Sequence, residues 1–120
     1  MTEALVPTVV NALEDLKGEQ IKTLHVAPLT TITDDMVLCT GTSSRHVQSL
    51  AQRVVEDAKK AGVQPRGVEG MTRAEWVLVD LGDVVVHIMQ AQTRALYQLE
   101  KLWDLPDHQA DNGEGARSNG

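Results

Sequence analysis

The segment Gly41-Thr-Ser-Ser-Arg-His46 is the first place where residue types and spacing could support chemistry. Backbone N–H groups at the start of a helix, together with the positive end of the helix dipole, can receive a phosphate group. Arg45 would add positive charge, so a nucleotide-binding transferase using residues 41–45 is one hypothesis. In the simpler interpretation, Gly41 makes a tight turn and Thr42 or Ser43 caps the following helix. The absence of a Gly-x-x-x-x-Gly-Lys-Ser/Thr phosphate loop favours the simpler interpretation.

A hydrolytic triad and a zinc site have weaker support. A triad could be assembled from Ser43 or Ser44, His46 or His87, and Asp80 or Asp83. However, no Gly-x-Ser-x-Gly elbow accompanies these residues. The four histidines are far apart, lack His-x-x-x-His spacing and accompany one cysteine, Cys39. We therefore predict no catalytic residues, no metal and no cofactor.

The two apolar runs between Trp76 and Met89 predict a β-hairpin, because a Gly-containing turn separates them. If Leu81 and Gly82 form a two-residue turn, the pairs that face each other are Asp80 with Asp83, Leu78 with Val85, and Trp76 with His87. Because successive strand residues point to opposite sides, one side is purely aliphatic. The other side, here called the mixed face, consists of Trp76, Leu78, Asp80, Asp83, Val85, His87 and Met89.

The composition of the mixed face is closer to the anchor residues of a protein interface than to a core layer. We predict that it is an exposed docking surface, on which the acids steer and orient a basic partner. Tyr97 is expected to line its edge. The alternative is that the first or the last helix covers this face and makes Trp76 a core residue. An uncovered apolar strand face also predicts a homodimer.

Length and charge limit the remaining possibilities. The 120 residues fit one domain, expected over residues 1–104, with a disordered tail over 105–120. The net charge of −6 disfavours direct DNA binding, which relies on clustered Lys and Arg, and favours a basic protein partner. One cysteine, no secretory signal and no apolar stretch of about 20 residues predict a cytoplasmic protein without a membrane span.

The periodicities that must position these residues predict an α/β domain. Helical spacing is expected over 8–17, from Val47 to a stop at Gly62, and from Ala95 through Trp103. Strands are expected at 21–26, 36–40 and 65–69, in addition to the hairpin. The predicted order is α-β-β-α-β-β-β-α, with a mixed sheet of about five strands and flanking helices.

Four motifs in this order and spacing closely resemble the ribosomal silencing factor family, also called RsfS or Iojap. They are Gly41-Thr-Ser-Ser-Arg-His46, Gly67-Val-Glu-Gly70, Trp76-Val-Leu-Val-Asp-Leu-Gly-Asp-Val-Val-Val-His87 and Arg94-x-x-Tyr97-x-Leu99-Glu-Lys-Leu-Trp103. The resemblance extends from about the first helix to Trp103. Its most distinctive segment is Leu-Gly-Asp-Val-x-Val-His.

The resemblance implies a fold similar to nucleotidyltransferases and a function that is not catalytic. It implies binding to large-subunit ribosomal protein fourteen where the two subunits meet, which blocks subunit joining and represses translation when nutrients are scarce. A link to large-subunit assembly is also implied. In nucleotidyltransferases, paired carboxylates on a strand hold magnesium. Here Glu56 and Asp57 are adjacent within a predicted helix and Asp80 and Asp83 flank a turn, so the enzyme hypothesis is weakened.

Overall fold

The computed structural model describes residues 2–27 and 33–97. The elements in chain order are α1 (Thr2–Asp15), β1 (Glu19–His25), β2 (Asp35–Gly41), α2 (Ser44–Lys60), β3 (Gly67–Glu69), β4 (Trp76–Asp80), β5 (Val84–Gln90) and α3 (Ala91–Tyr97). The predicted order of helices and strands is confirmed. The predicted tail, and the predicted last-helix positions beyond Tyr97, including Trp103, lie outside the described residues.

The five strands form one mixed sheet with the order β1-β2-β5-β4-β3. β2 and β5 run parallel, and the other neighbouring pairs run antiparallel. The two parallel strands occupy the inside of the sheet and are buried along almost their whole length. This burial explains their continuous apolar sequences, because a strand that is covered on both sides has no polar side.

Helix α1 begins at Thr2, earlier than the predicted start at residue 8, and Pro7 lies inside it. The longer helix follows from burial, since Leu5 and Val9 lie on the same stripe and both pack into the core. The helix ends near Gly18, whose backbone N–H donates to the Leu13 carbonyl at 2.8 Å. Helix α3 likewise begins earlier than predicted, at Ala91 directly after β5.

Helix α2 follows the predicted pattern closely. Ser43 is its N-cap, and the Ser43 hydroxyl accepts the backbone N–H of His46 at 3.1 Å. The predicted core stripe is buried at Val47, Leu50, Ala51, Val54 and Ala58. Gly62 adopts a φ of +89° just beyond the helix, a conformation that favours glycine.

The sheet has a different apolar cluster on each side. α1 and α2 pack against the aliphatic side of the hairpin to form the main core, which includes Val77, Val79, Val86 and Ile88. On the opposite side, Val26, Met36, Leu38 and Met89 form a smaller buried cluster, with Leu24 and Trp76 packed against it. The mixed face therefore continues across the sheet from β4 and β5 onto β2 and β1.

The predicted hairpin register is wrong by two residues. The structure pairs Trp76 with Met89, Leu78 with His87, and Asp80 with Val85. The turn is centred on Gly82 and Asp83, and the Leu81 N–H donates to the Val84 carbonyl at 2.9 Å. Gly82 takes the first central position with a φ of +90°, which only glycine adopts without strain. A shift of two residues preserves which side each residue occupies, so the predicted division into two sides holds.

Candidate docking site

The mixed face contains an outer part and a buried part. Trp76, Leu78 and Asp80 on β4 are half-buried, and Asp83 in the turn is exposed. The prediction that the whole face is exposed is corrected for β5, where Val85 is 9%, His87 7% and Met89 0% exposed. The physical reason is that β5 lies between β2 and β4, where the smaller cluster encloses it, whereas β4 lies nearer the edge of the sheet.

Trp76 and His87 are joined directly across the two strands. The indole Nε1–H of Trp76 donates to Nδ1 of His87 at 2.9 Å, and the ring centroids are 5.9 Å apart with planes tilted by 50°. Burial lowers the pKa of His87 from 6.5 to about 4. The imidazole is therefore neutral at physiological pH, and because the indole N–H can only donate, Nδ1 is the nitrogen without a proton.

Asp80 holds the hairpin turn in addition to contributing charge. Its Oδ1 accepts the backbone N–H of Gly82 at 2.9 Å, an arrangement that Asp favours in turns. The backbone carbonyl of Asp83 accepts the N–H groups of Asp34 and Asp35, each at 3.0 Å. These backbone bonds join the hairpin turn to the start of β2 at one end of the sheet.

Sequence reasoning missed the contribution of β1 and β2 to this site. Met36 and Leu38 form the buried neighbour of β5 on the mixed face, whereas Asp35 lies on the opposite side of β2, where its Oδ1 is 2.9 Å from His25 Nδ1. The alternation of Met36 and Leu38 was a usable signal for a second apolar side. The strand that pairs with β2 could not be predicted in this way, because the parallel contact of β2 with β5 joins segments that are far apart in sequence.

Helix α3 is attached to the same side of the sheet through a buried arginine. Arg94 is 7% exposed, and its Nη1 donates to the Gln20 carbonyl at 2.6 Å and to the Thr40 hydroxyl at 3.0 Å. Gln20 has a φ of +50° within the irregular part of β1, so Arg94 satisfies a carbonyl there. Tyr97 is the last described residue of α3, and its side chain lies outside the described part.

The Gly41–His46 turn is used for structural contacts. The Ser43 hydroxyl caps α2, and the Ser44 hydroxyl accepts a hydrogen bond from the Gln90 side-chain amide at 3.1 Å. The Thr42 hydroxyl oxygen lies 3.2 Å from His46 Nδ1. The Thr42 backbone N–H donates to the same Nδ1 at 2.9 Å, and His46 Nε2 lies 2.7 Å from the Leu16 carbonyl. These bonds fix the turn to α1 and β5, which favours the cap interpretation over a phosphate site.

Two further findings concern chemistry and membranes. Within residues 2–27 and 33–97, no three His, Cys, Asp or Glu side chains converge as metal ligands. Cys39 is buried, and burial raises the pKa of its thiol to about 11. Across the same residues, no helix combines the length and apolarity needed to cross a membrane.

Comparison with known proteins identifies a family. The family model described as "Ribosomal silencing factor during starvation" matches residues 1–119. The ribosomal silencing factor RsfS of Haemophilus influenzae is 48% identical over 100 residues, which cover 83% of this chain and 98% of that protein. A crystal structure of a protein from Chromobacterium violaceum superposes with a TM-score of 0.85 at 40% identity, covering 97% of this chain and 95% of that one.

The chain is also similar to a mouse protein whose name refers to mitochondria. It is named "Mitochondrial assembly of ribosomal large subunit protein 1" and is 35% identical over 99 residues. The match covers 80% of this chain but 43% of the mouse protein. The bacterial relative is thus similar over nearly its full length, and the mouse relative over less than half of its own.

Proposed function

Because this chain belongs to the RsfS family of ribosomal silencing factors, we propose that it binds protein fourteen of the large ribosomal subunit at the face where the subunits meet. Bound there, it prevents the small subunit from joining and represses translation when nutrients are scarce. Family membership by itself implies regulation of translation at the ribosome. The names of the relatives describe regulators rather than enzymes.

The half-buried Trp76 at the outer part of the mixed face is the observation that supports this docking site best. It packs against the smaller cluster, and the half-buried Leu78 lies on the same strand and side. Tryptophan side chains seated among apolar neighbours are frequent hot spots of protein interfaces. The buried Val85, His87 and Met89 pair with the β4 residues of this face across the hairpin, and Tyr97 remains a proposed residue of the edge.

The charge near this face favours a basic partner. Asp80 lies on the mixed face, Asp83 is exposed in the adjoining turn, and the whole chain carries a net charge of −6. Complementary charge at the rim of an interface chiefly accelerates and orients association. We therefore expect binding to slow as the salt concentration rises, with a smaller effect on the rate of dissociation.

Co-sedimentation with separated ribosomal subunits tests the proposed site. The wild-type chain should pellet with large subunits and not with small ones. Trp76→Ala should weaken this binding by about 2 kcal/mol, roughly thirtyfold in Kd. Val68→Ala is a matched control, because Val68 is an apolar residue that is 40% exposed on the other side of the sheet. A folded Trp76→Ala variant that binds as strongly as the wild type would contradict the anchor role.

The proposed effect on subunit joining needs its own measurement. Purified subunits form whole ribosomes when magnesium is raised, and light scattering follows the reaction. Adding the wild-type chain to the large subunits first should reduce the amplitude, and Trp76→Ala should do so only at a higher concentration. Unchanged joining at a concentration that saturates large-subunit binding would contradict the blocking mechanism.

Large-subunit assembly is a second candidate role, favoured by the printed name of the mouse relative. Cells that lack the protein would then accumulate precursors of the large subunit during growth in rich medium. Normal subunit profiles in rich medium, with excess translation during starvation, would favour silencing alone.

Self-association through the apolar part of the mixed face, where Trp76 and Leu78 are half-buried, is also proposed. A further exposed apolar side chain is Leu96 on α3, which is 74% exposed. It lies two residues after Arg94, which bonds α3 to β1. Light scattering across a concentration series, with and without large-subunit protein fourteen, measures the dimer and its competition with the partner. A dimer whose population does not respond to that partner would contradict competition.

A further inference from the structure

The contact between Trp76 and His87 is more specific than a packing contact. The two residues are not paired in the ladder, since Trp76 faces Met89 and His87 faces Leu78. They are diagonal neighbours on one side of the sheet, a separation that long aromatic side chains can bridge. The 2.9 Å bond between Nε1 and Nδ1 therefore determines where the indole lies along the strand.

The bond requires one form of the histidine. Indole Nε1–H is a donor only, so His87 Nδ1 must carry no proton, and a neutral imidazole then carries its proton on Nε2. Burial favours the neutral ring, because His87 is 7% exposed and the charged imidazolium is disfavoured there, and the indole donor selects the tautomer with Nδ1 unprotonated. His87 is consequently a buried acceptor beside the half-buried indole.

We propose that His87 is a positioning residue. Its unprotonated Nδ1 holds the Trp76 indole in one orientation on the mixed face before the ribosomal partner binds. This inference rests on the proposed function, since the benefit is a lower cost of ordering the indole during binding. His87 itself is buried and contributes through Trp76.

Two substitutions of His87 distinguish the effect of its hydrogen-bond acceptor from the effect of its side-chain volume. His87→Asn keeps a carbonyl oxygen near the position of Nδ1, whereas His87→Leu fills similar space without an acceptor. Loss of one hydrogen bond that orders an interface anchor corresponds to roughly a tenfold increase in Kd. We expect this increase for His87→Leu and a change of about twofold or less for His87→Asn.

The experiment combines nuclear magnetic resonance with large-subunit co-sedimentation on the full chain. The Trp76 indole signal is assigned as the one that Trp76→Phe removes. In the wild type and His87→Asn this signal should lie downfield and exchange slowly with solvent. In a folded His87→Leu variant it should move upfield and exchange faster, in parallel with the weaker binding.

The possible failures are distinguishable. If the wild type binds and folded His87→Leu leaves the indole signal and the affinity unchanged, the positioning role is wrong while the docking proposal stands. If His87→Asn and His87→Leu weaken binding equally, the acceptor is not what positions Trp76. If the wild type binds neither subunit although the indole bond is intact, the proposed function fails, and the positioning role in docking fails with it.

Discussion

Acidification should destabilise this protein in a way that depends on one buried imidazole. The pKa of His87 falls from 6.5 to about 4 because the folded chain buries the ring. Between these two values the unfolded chain binds a proton that the folded chain does not. The stabilising effect of a neutral His87 is therefore complete above pH 6.5 and is lost as the pH falls towards 4.

The size of the effect follows from the shift in pKa. Each pKa unit corresponds to about 1.4 kcal/mol, so the free energy of unfolding should fall by up to about 3 kcal/mol across this range. Such a loss is a large fraction of the stability of a typical domain, about 5–15 kcal/mol. Protonation of Nδ1 would also remove the acceptor of the Trp76 indole, which favours the neutral ring in the folded chain and so acts through the same shift in pKa.

Urea unfolding followed by circular dichroism, at a series of pH values between 7 and 4.5, measures this dependence. The difference between the wild type and His87→Gln removes the contributions of other titrating groups, which the two proteins share. His25→Gln is the control in which a histidine with a 68% exposed side chain is lost and the buried imidazole stays; it also removes the 2.9 Å contact of His25 Nδ1 with Asp35, so the dependence on pH is compared and not the absolute stability. The wild type and the control should lose stability steeply, and His87→Gln less so. Parallel curves for the wild type and His87→Gln would refute the argument.

Three further predictions concern residues that support the site. Gly70→Ala should destabilise the fold by more than about 2 kcal/mol, because Gly70 has a φ of +88° and an added methyl collides with the Trp76 carbonyl. Gly67→Ala is the control in the same urea unfolding measurement and should be nearly neutral, because a methyl group there meets open space. Arg94→Met should cost about 2–3 kcal/mol in thermal or urea unfolding, because it leaves a carbonyl of β1 and a hydroxyl of β2 without their buried donor. Cys39 should resist Ellman's reagent at pH 8 in the folded chain and react after unfolding, since its pKa is raised to about 11; rapid reaction of the folded chain would contradict this.

Local sequence patterns predicted a helix or strand well where the signal, such as an apolar stripe or a capping residue, lies within that same segment. The stripe through Val47 and Val54 identified α2, and the Ser43 side chain capped it as the sequence suggested. The starts of α1 and α3 were placed too late, because tertiary packing of Leu5 and Arg94 extends helices beyond their clearest periodic segments. The hairpin register was missed, since two turns containing Gly82 satisfied the same alternation.

The amino-acid sequence by itself determined the order of the elements, the two sides of the hairpin and the family, because these depend on periodicity and on motifs contiguous in the chain. Only the tertiary structure decided which part of the mixed face is accessible. Strand β5 is covered because it lies between β2 and β4 and contacts α1, α2 and α3; its pairing with β2 joins distant segments that no local pattern encodes. The same pairing sets His87 opposite Leu38, the hairpin sets it next to Trp76, and burial keeps the imidazole neutral so that it can accept the indole N–H.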